Sequence, residues 1–428
     1  MPNSLKATRH PWAFIYARGW RSEIGLAVAL IVGLVIVDRL GGIGMLLVLG
    51  VLFVASRQSG PIDQWKSSRA ANHVALWIHM GCWHAGIVGT SGRVPRVVRQ
   101  GRLPVGYRFI VELPAGIAAD LVQSRLGQLA AALQAREVRV RVAPNNARYV
   151  ELVVVTKAAF AGEHPSPLLE AAAFNLWESL PIGVGEDGLA VRIKLVEHNL
   201  LIGGEPGSGK SVALSSIIAG AALDATVDLT LLDGKQVELA AWRHVANNFV
   251  GPDQDEALAV LDNLRVAMDE TYQYLGETRR RKVTQLEGGR LHVLVIDELA
   301  FYLRGGKKET RDRFAEALRD LVSRGRAAGI IVVAATQKPS HEVVPTWIRD
   351  LFSYRLAMRC TSPEASDTIL GQGWAQRGFS ASSIDPSLRG VGYLLAEGEV
   401  PTLFRGSNLD DEEITELVER AGLLRQVS

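Results

Sequence analysis

Gly204-Glu205-Pro206-Gly207-Ser208-Gly209-Lys210-Ser211 fits the nucleotide-binding pattern G-x-x-x-x-G-K-[ST]. An apolar run suited to a buried strand precedes it at 198–202, and a segment with helical spacing follows it at 212–218. Glycines let the backbone wrap closely around a phosphate, and the following helix adds the positive end of its dipole. The stretch therefore predicts a phosphate loop between a strand and a helix, with ATP or GTP as the first ligand to consider.

Two side chains of this loop have roles that follow from their chemistry. The Lys210 ammonium is expected to bridge the β- and γ-phosphates, and the Ser211 hydroxyl is expected to ligate Mg²⁺. The loop backbone from Gly204 to Gly209 supplies N–H groups that point inward at the phosphates.

Polar side chains follow two later strand candidates. Asp297 and Glu298 come directly after the apolar run Leu291–Ile296, and Gln337 follows Ile330–Thr336. Asp297 is predicted to hold the Mg²⁺ hydration shell, and Glu298 to orient and activate the attacking water. Gln337 is expected to contact the γ-phosphate or that water.

Strand candidates alternate with helical segments throughout the second half of the chain. Such alternation predicts an α/β fold with a mostly parallel sheet and helices on both faces. Ligands of these sheets bind at the C-terminal ends of the strands. The strand candidates are 200–203, 227–232, 291–296, 330–336 and 353–358.

Two charge-free apolar blocks near the N-terminus, 24–37 and 40–55, flank Asp38-Arg39. As one helix they would be roughly 48 Å long, against a hydrocarbon core of roughly 30 Å. A hairpin of two transmembrane helices, at about 22–37 and 40–56, is therefore favoured over a single span. Basic residues on both flanks place both ends of this anchor on the cytoplasmic side of the cell membrane.

Between the anchor and the phosphate loop lies a smaller α/β pattern. Two strand-like segments, 138–143 and 149–155, follow a strand at 107–113 and a helical segment at 121–133. The predicted domains are an anchor at 1–57, a connector at 58–104 with a short helix near 73–84, a small α/β module at 105–165, an ATPase domain at 176–406 and an acidic tail at 407–428.

Composition limits the possible classes of protein. The 428 residues include only two cysteines, Cys82 and Cys360, which argues against a disulfide framework and suits a reducing compartment. A formal net charge of +2 excludes a strongly basic nucleic-acid coat but permits a locally basic groove or channel.

These motifs together resemble the FtsK/SpoIIIE family of membrane-anchored DNA-pumping ATPases, whose motor domain is RecA-like. The resemblance covers roughly residues 107 to 405, because the small module is similar to the α domain of that family. The segments that carry it are Pro181–Gly185, Leu232–Leu239, Val295–Ala300, Gly325–Ile330 and Ala335–Ser340.

The resemblance implies a homo-oligomeric ring, usually a hexamer, threaded by double-stranded DNA. ATP would lie between neighbouring subunits, and an arginine from the next subunit would complete each site. DNA phosphates would be contacted by basic loops. The candidate arginines are Arg324, Arg326, Arg355 and Arg359, of which Arg326 and Arg355 lie in family-like segments. The candidate DNA contacts are Lys307 and Lys308 in loop 304–308, Arg377 in loop 372–378, and the basic run 279–282.

One departure from the long members of the family concerns the C-terminus. About twenty residues follow Arg405, and Asp410-Asp411-Glu412-Glu413 makes them acidic, so a winged-helix DNA reader is not expected. The short layout resembles actinobacterial conjugative transfer proteins and favours DNA transfer between cells. A chromosome-segregation pump, a type VII-like protein secretion ATPase and a nucleotide-dependent membrane scaffold remain as alternatives.

Overall fold

The computed structural model of the chain describes residues 31–35, 37–39, 41, 76–143 and 145–427. Within these ranges, no helix combines the length and the apolar character needed to cross a membrane. Of the predicted spans at about 22–37 and 40–56, residues 31–35, 37 and 41 are described and the rest lies outside the described residues, as does 58–75 of the predicted connector. The chain divides into two units, and the boundary falls between Ala159 and Phe160.

The first unit is a four-stranded antiparallel sheet with helices on one face. Its strands are β1 (Arg96–Leu103), β2 (Gly106–Glu112), β3 (Glu137–Val142) and β4 (Tyr149–Val155), in the spatial order β1-β2-β4-β3. Its helices are α1 (76–84), α2 (Ala119–Ser124) and α3 (Leu126–Ala132). Phe109 and Val150 of the sheet pack against Ile78 and Leu129 of the helices.

The helix α1 and the strand β1 belong to this unit, although the sequence predicts a connector at 58–104. Ile78 and Cys82 are buried in its core, whereas most of β1 is exposed. Because β1 carries arginines rather than alternating apolar residues, its sequence gives little strand signal. From residue 76 onward the unit is therefore an α-β-β-α-α-β-β arrangement rather than the predicted β-α-β-β module.

The second unit contains a ten-stranded sheet in the spatial order β6-β5-β14-β13-β12-β7-β11-β10-β8-β9. The strands β7, β8, β9, β10, β11 and β12 are mutually parallel, which confirms the predicted mostly parallel sheet. The strands are β5 (Leu180–Gly185), β6 (Ala190–Ile193), β7 (Leu200–Gly203), β8 (Val227–Leu232), β9 (Asn248–Val250), β10 (Leu291–Ile296), β11 (Ile330–Thr336), β12 (Tyr354–Met358), β13 (Val391–Leu395) and β14 (Thr402–Gly406).

Helices cover both faces of this sheet. The helices are α4 (Lys210–Ala222), α5 (Gln254–Glu277), α6 (Leu299–Arg304), α7 (Lys308–Arg324), α8 (Thr346–Arg349), α9 (Pro363–Leu370) and α10 (Asp411–Val427). One core contains residues of α4 and α10, and the other contains residues of α5 and α7. The central strands read as continuous apolar runs because both of their faces are buried.

The predicted acidic tail is the helix α10. Asp410 and Glu413 form a reciprocal cap: the Asp410 N–H donates to Glu413 Oε2 at 2.9 Å, and the Glu413 N–H donates to Asp410 Oδ1 at 2.8 Å. Acidic residues in the first turn complement the helix dipole. Leu417 and Ala421 are fully buried in the core that contains α4. The acidic run is thus the start of a packed helix.

Candidate active site

The phosphate loop connects β7 to α4, as the sequence predicts. Gly209 precedes α4 with φ of +104°, and a Cβ there would lie 2.7 Å from Gly390 Cα. Gly207 also has a positive φ, +76°. Gly390 donates its N–H to the Ser208 carbonyl at 3.0 Å, so the start of β13 supports the loop. Glycine is required at 209 because both the dihedral angle and the space exclude a side chain.

Lys210 is buried beneath this loop, with 3% of its side chain exposed. Its Nζ forms an ion pair with the fully buried Asp297 carboxylate and donates to the Asp297 carbonyl at 3.2 Å. Burial raises the pKa of the Asp297 carboxyl above its usual value, and the Lys210 ammonium opposes that shift. The two predicted catalytic residues, 87 positions apart in the chain, therefore meet directly.

Glu298 links the ends of β10 and β11. It accepts a hydrogen bond from Thr336 Oγ1 at 2.8 Å and one from the Gln337 N–H at 3.1 Å. It also accepts the Ala300 N–H at 3.3 Å at the start of α6. Three donors thus fix the orientation of this carboxylate. Thr336 was not singled out from the sequence, since a hydroxyl that ends an apolar strand gives no distinctive signal.

Glu238 is a further carboxylate at the phosphate loop, and the sequence analysis assigned it no role. Ser211 Oγ donates to Glu238 Oε2 at 2.5 Å. The turn that carries Glu238 is held by the fully buried Asp233, which accepts the N–H groups of Gln236 and Leu239, both at 2.9 Å. Glu238 lies in the family-like segment 232–239, which the sequence did mark. The position of Glu238 along the chain, however, does not predict its contact with Ser211.

The side-chain oxygen atoms beside the phosphate loop fit a hard divalent cation. Asp297 Oδ2 is buried and has no hydrogen-bond partner, and the Ser211 hydroxyl lies beside the Glu238 carboxylate. Carboxylate and hydroxyl oxygens with room for water are the ligand set that Mg²⁺ prefers. Ser211 and Asp297, which the sequence predicts to hold Mg²⁺, therefore carry oxygen atoms of a kind that suits this ion.

A cavity of about 560 Å³ opens above the phosphate loop. Gln337 lines it together with Lys210, Ser211 and Glu238, as its predicted role requires. Arg389 also lines it, although the sequence gave no reason to select that residue. The remaining lining residues are Glu163, His164, Glu205, Pro206, Gly207, Gly209, Val212, Gly390, Arg405, Gly406 and Asn408.

Three of the four candidate arginines are engaged within their own subunit. Arg324 pairs with Asp269 at 2.6 Å and with Asp320 at 3.1 Å. Arg355 donates to the carbonyls of Phe352 and Leu370, at 3.1 and 3.0 Å, and burial lowers its pKa. Arg359 pairs with Glu205 of the phosphate loop at 2.5 Å.

Arg326 is the least engaged of the four. Its nearest carboxylate oxygen, on Glu397, is 3.9 Å away, and 47% of its side chain is exposed. Arg326 lines a cavity of about 690 Å³ together with Arg355, Arg377 and Trp374. The Arg377 guanidinium stacks on the Trp374 ring, 4.0 Å from its centroid. This group of three arginines and one tryptophan is called the arginine cavity below.

The predicted DNA contacts Lys307, Lys308 and Arg377 line three different cavities. Lys307 lines a separate, smaller cavity beside Asp253 and Asp255, and both Lys307 and Lys308 are exposed, whereas Arg377 belongs to the arginine cavity. In the basic run 279–282, Arg280 pairs with Glu287 at 3.1 Å and Lys282 pairs with Glu197 at 2.5 Å. That run is partly neutralised by neighbouring carboxylates.

Comparison with known proteins agrees with this geometry. The profile of the FtsK/SpoIIIE family matches residues 167–371, a range that contains the phosphate loop, Asp297, Glu298 and Gln337. Residues 167–371 are an FtsK/SpoIIIE family domain. The resemblance inferred from the motifs is thereby confirmed.

Curated FtsK/SpoIIIE relatives extend the match beyond this domain. The chain is 26% identical over 341 residues to the DNA translocase FtsK of Staphylococcus aureus (strain Mu50), and 28% identical over 352 residues to that of Bacillus cereus (strain ATCC 14579). The matches cover 74% and 76% of this chain, but 41% and 42% of the relatives. The chain thus spans about two fifths of the length of these relatives.

Solved structures share the fold of this chain at low sequence identity. The pCW3 conjugation coupling protein TcpA, in its monomer form with ATPγS, has a TM-score of 0.51 and 19% identity; the match covers 81% of this chain and 99% of TcpA. EssC (ATPases 2 and 3) from Geobacillus thermodenitrificans has a TM-score of 0.51 and 15% identity, over 62% of this chain and 52% of EssC.

Proposed function

We propose that this protein is a membrane-anchored ATPase that translocates double-stranded DNA, and that it acts in conjugative transfer between cells. Lys210, Asp297 and Glu298 meet beneath a phosphate loop, in a chain whose relatives are named DNA translocases. That arrangement is the observation that carries the proposal.

The nucleotide would bind with its phosphates on the loop between β7 and α4. Lys210 lies beneath that loop, paired with Asp297. On binding, its ammonium would turn toward the β- and γ-phosphates, and it would keep the Asp297 carbonyl as a partner. Ser211, Asp297 and, beside them, Glu238 would hold Mg²⁺, which neutralises phosphate charge when it is bound.

Glu298 would orient the attacking water and accept its proton. The carboxylate is already fixed by Thr336 and by the Gln337 backbone, so little reorganisation is needed when ATP binds. Loss of the γ-phosphate would change the charge facing Gln337. Because Gln337 begins the segment after β11, that change would be passed to the following loop.

Arg326 would complete the site of a neighbouring subunit in a homo-oligomeric ring. Of the four candidates it has the weakest partner in its own chain and an exposed guanidinium. A hexamer, as the resemblance implies, would place one nucleotide at each interface. An arginine supplied in this way stabilises the charge that develops on the transferred phosphate.

Lys307, in the loop between α6 and α7, and Lys308, the first residue of α7, would contact DNA phosphates. Both are exposed, and the start of the loop is held by α6: the Gly305 N–H donates to the Phe301 carbonyl at 3.1 Å, and Gln254 Nε2 donates to the same carbonyl at 2.8 Å. Contacts of this kind bind duplexes of any sequence and weaken as salt rises. Arg377, in the arginine cavity, remains a further candidate.

A protein-export motor is the second candidate function. Its specific support is the shared fold with EssC, a protein of tandem ATPases, whereas this chain has one phosphate loop. Both proposed functions, DNA translocation and protein export, include the membrane hairpin at about 22–37 and 40–56. Topology reporters fused at the N-terminus, near Arg39 and after Arg57 would test it; an outward signal only near Arg39 is expected.

ATP hydrolysis by the full-length protein in detergent separates the two functions. We expect strong stimulation by linear duplex DNA, lost progressively as salt is raised from about 50 to 200 mM. Single-stranded DNA of equal length and a panel of secretion-signal peptides are the comparisons. Activation by a peptide with no response to duplex would contradict the DNA function and support export.

A further inference from the structure

The cavity above the phosphate loop has a second wall beyond the part that phosphates would occupy. One end is formed by the loop, Lys210 and Ser211. The other wall comes from segment 160–165 and from the end of β14 with the residues that follow it, and it includes His164, Gly406 and Asn408. A triphosphate occupies the loop end of such a cavity, so a nucleoside would extend toward this wall.

Segment 160–165 is built into the second unit, although the sequence analysis treated it as the end of the small module. Arg405 Nη1 donates to the carbonyls of Phe160 and Gly162, at 2.5 and 2.8 Å. The Asn408 N–H donates to the His164 carbonyl at 2.8 Å, and Pro165 and Asn408 form a parallel bridge. The backbone around His164 is therefore fixed beside the cavity.

The His164 side chain has an unused polar atom. Its Nε2 is covered by protein atoms and has no hydrogen-bond partner, while the residue itself lines the cavity, so a rotation of the imidazole would bring Nε2 to the cavity surface. A buried nitrogen without a partner is unfavourable, and native structures rarely retain one unless a ligand or water satisfies it. The position of His164 in a nucleotide cavity identifies the type of ligand that would do so.

We propose that His164 binds the nucleoside half of ATP through Nε2 and so contributes to nucleotide affinity and specificity. This inference rests on the proposed ATPase function. The wall suits a nucleoside, because it presents an imidazole, an amide side chain and the Glu163 carboxylate, and because Nη1 of Arg405 on this wall is already bonded to the carbonyls of Phe160 and Gly162. An imidazole nitrogen can pair with a purine edge or with a ribose hydroxyl, whereas a carboxylate repels phosphate.

Binding of two probes to the full-length protein in detergent tests this proposal: ATPγS, which has a nucleoside, and inorganic tripolyphosphate, which has none. His164→Ala is expected to weaken ATPγS about tenfold, as for one lost hydrogen bond, and to leave tripolyphosphate within twofold. His164→Gln, which keeps a hydrogen-bonding group, should recover part of the loss. His84→Ala, an exposed histidine of the first unit, is the matched control.

The outcomes separate this site from the proposed function. Equal ATPγS affinity in wild type and His164→Ala overturns the nucleoside site alone. A parallel loss of tripolyphosphate overturns it as well, since that pattern indicates a disturbed loop. Wild-type protein that binds neither probe overturns both proposals. With GTP and 2′-deoxy-ATP as competitors, a smaller preference for ATP in the variant identifies whether the base or the ribose is the partner.

Discussion

The two edges of the large sheet differ in how their charges are arranged. At the C-terminal edge of the parallel strands, Lys210 pairs with Asp297, and Glu298 accepts a hydrogen bond from Thr336. At the N-terminal edge, Arg326 precedes β11 and has its nearest carboxylate oxygen 3.9 Å away. The C-terminal edge thus carries the charged groups predicted for nucleotide chemistry, whereas the N-terminal edge carries a partly exposed arginine.

This difference indicates how a complete site would be assembled. Nucleotide hydrolysis requires positive charge near the transferred phosphate, and Arg359, the arginine paired with the phosphate loop, is already bound to Glu205. If the N-terminal edge of one subunit faces the C-terminal edge of the next, Arg326 supplies that charge. The C-terminal edge alone would then lack the arginine, and the N-terminal edge alone would lack the phosphate loop.

Lys210→Ala is expected to have the largest effect on nucleotide binding, because it removes the cation that would face the phosphates. Nucleotide affinity should fall by more than about a hundredfold, measured by ATPγS binding. The variant also leaves the Asp297 carboxylate buried without a partner, which destabilises the fold. Lys210→Ala with Asp297→Asn is the control: stability should return, but binding should not. Tight ATPγS binding in either protein would contradict the assignment.

Glu298→Gln should leave ATP binding within about twofold and slow hydrolysis by about a hundredfold or more, in single-turnover measurements. The amide lacks the basic oxygen that accepts a proton from water. Thr336→Val, which removes one donor to Glu298 and keeps its charge, should cost only about tenfold. Hydrolysis at the wild-type rate in Glu298→Gln would show that another group activates the water.

Arg326→Ala tests the opposite edge. ATP affinity should be little changed, while DNA-stimulated hydrolysis should fall by about a thousandfold. Mixing Arg326→Ala with Lys210→Ala subunits should restore part of the activity, because some interfaces then combine an intact lysine with an intact arginine. Arg324→Ala, whose arginine pairs with Asp269 and Asp320, is the matched control and should behave like wild type. Failure of the mixture to recover would rule out action between subunits.

Glu238→Gln should have the smallest effect of the four. It keeps the shape of the side chain beside Ser211 but removes a charge from the predicted Mg²⁺ site. We expect the half-saturating Mg²⁺ concentration to rise about tenfold, and Mn²⁺ binding by electron paramagnetic resonance to weaken in parallel. Glu163→Gln, at the far wall of the same cavity, should stay within twofold. Unchanged metal binding in Glu238→Gln would limit that carboxylate to orienting Ser211.

Much of the C-terminal edge could be predicted from the sequence. The strands β7, β10 and β11 are buried on both faces, so they read as continuous apolar runs, and polar residues at their ends stand out. Parallel strands bring those ends together, which is why Lys210 and Asp297 meet despite their separation.

Other parts of the site depend on long-range packing that local patterns do not encode. Glu238 reaches Ser211 only because Asp233 folds the turn after β8. His164 reaches the cavity because β14 holds segment 160–165. The choice of Arg326 among four arginines required their partners to be known, since all four lie in similar basic and apolar surroundings along the chain.

The C-terminal end of α4 is capped by a side chain from α10, and this has a consequence for the order of synthesis. Arg425 of α10 donates to the carbonyls of Ala221 and Ala222, at 3.0 and 3.1 Å, at the far end of the helix that begins at Lys210. On the ribosome, α10 emerges about 200 residues after that helix. The phosphate-loop helix therefore lacks these two side-chain hydrogen bonds while the intervening strands are made, and it would gain them only after α10 docks.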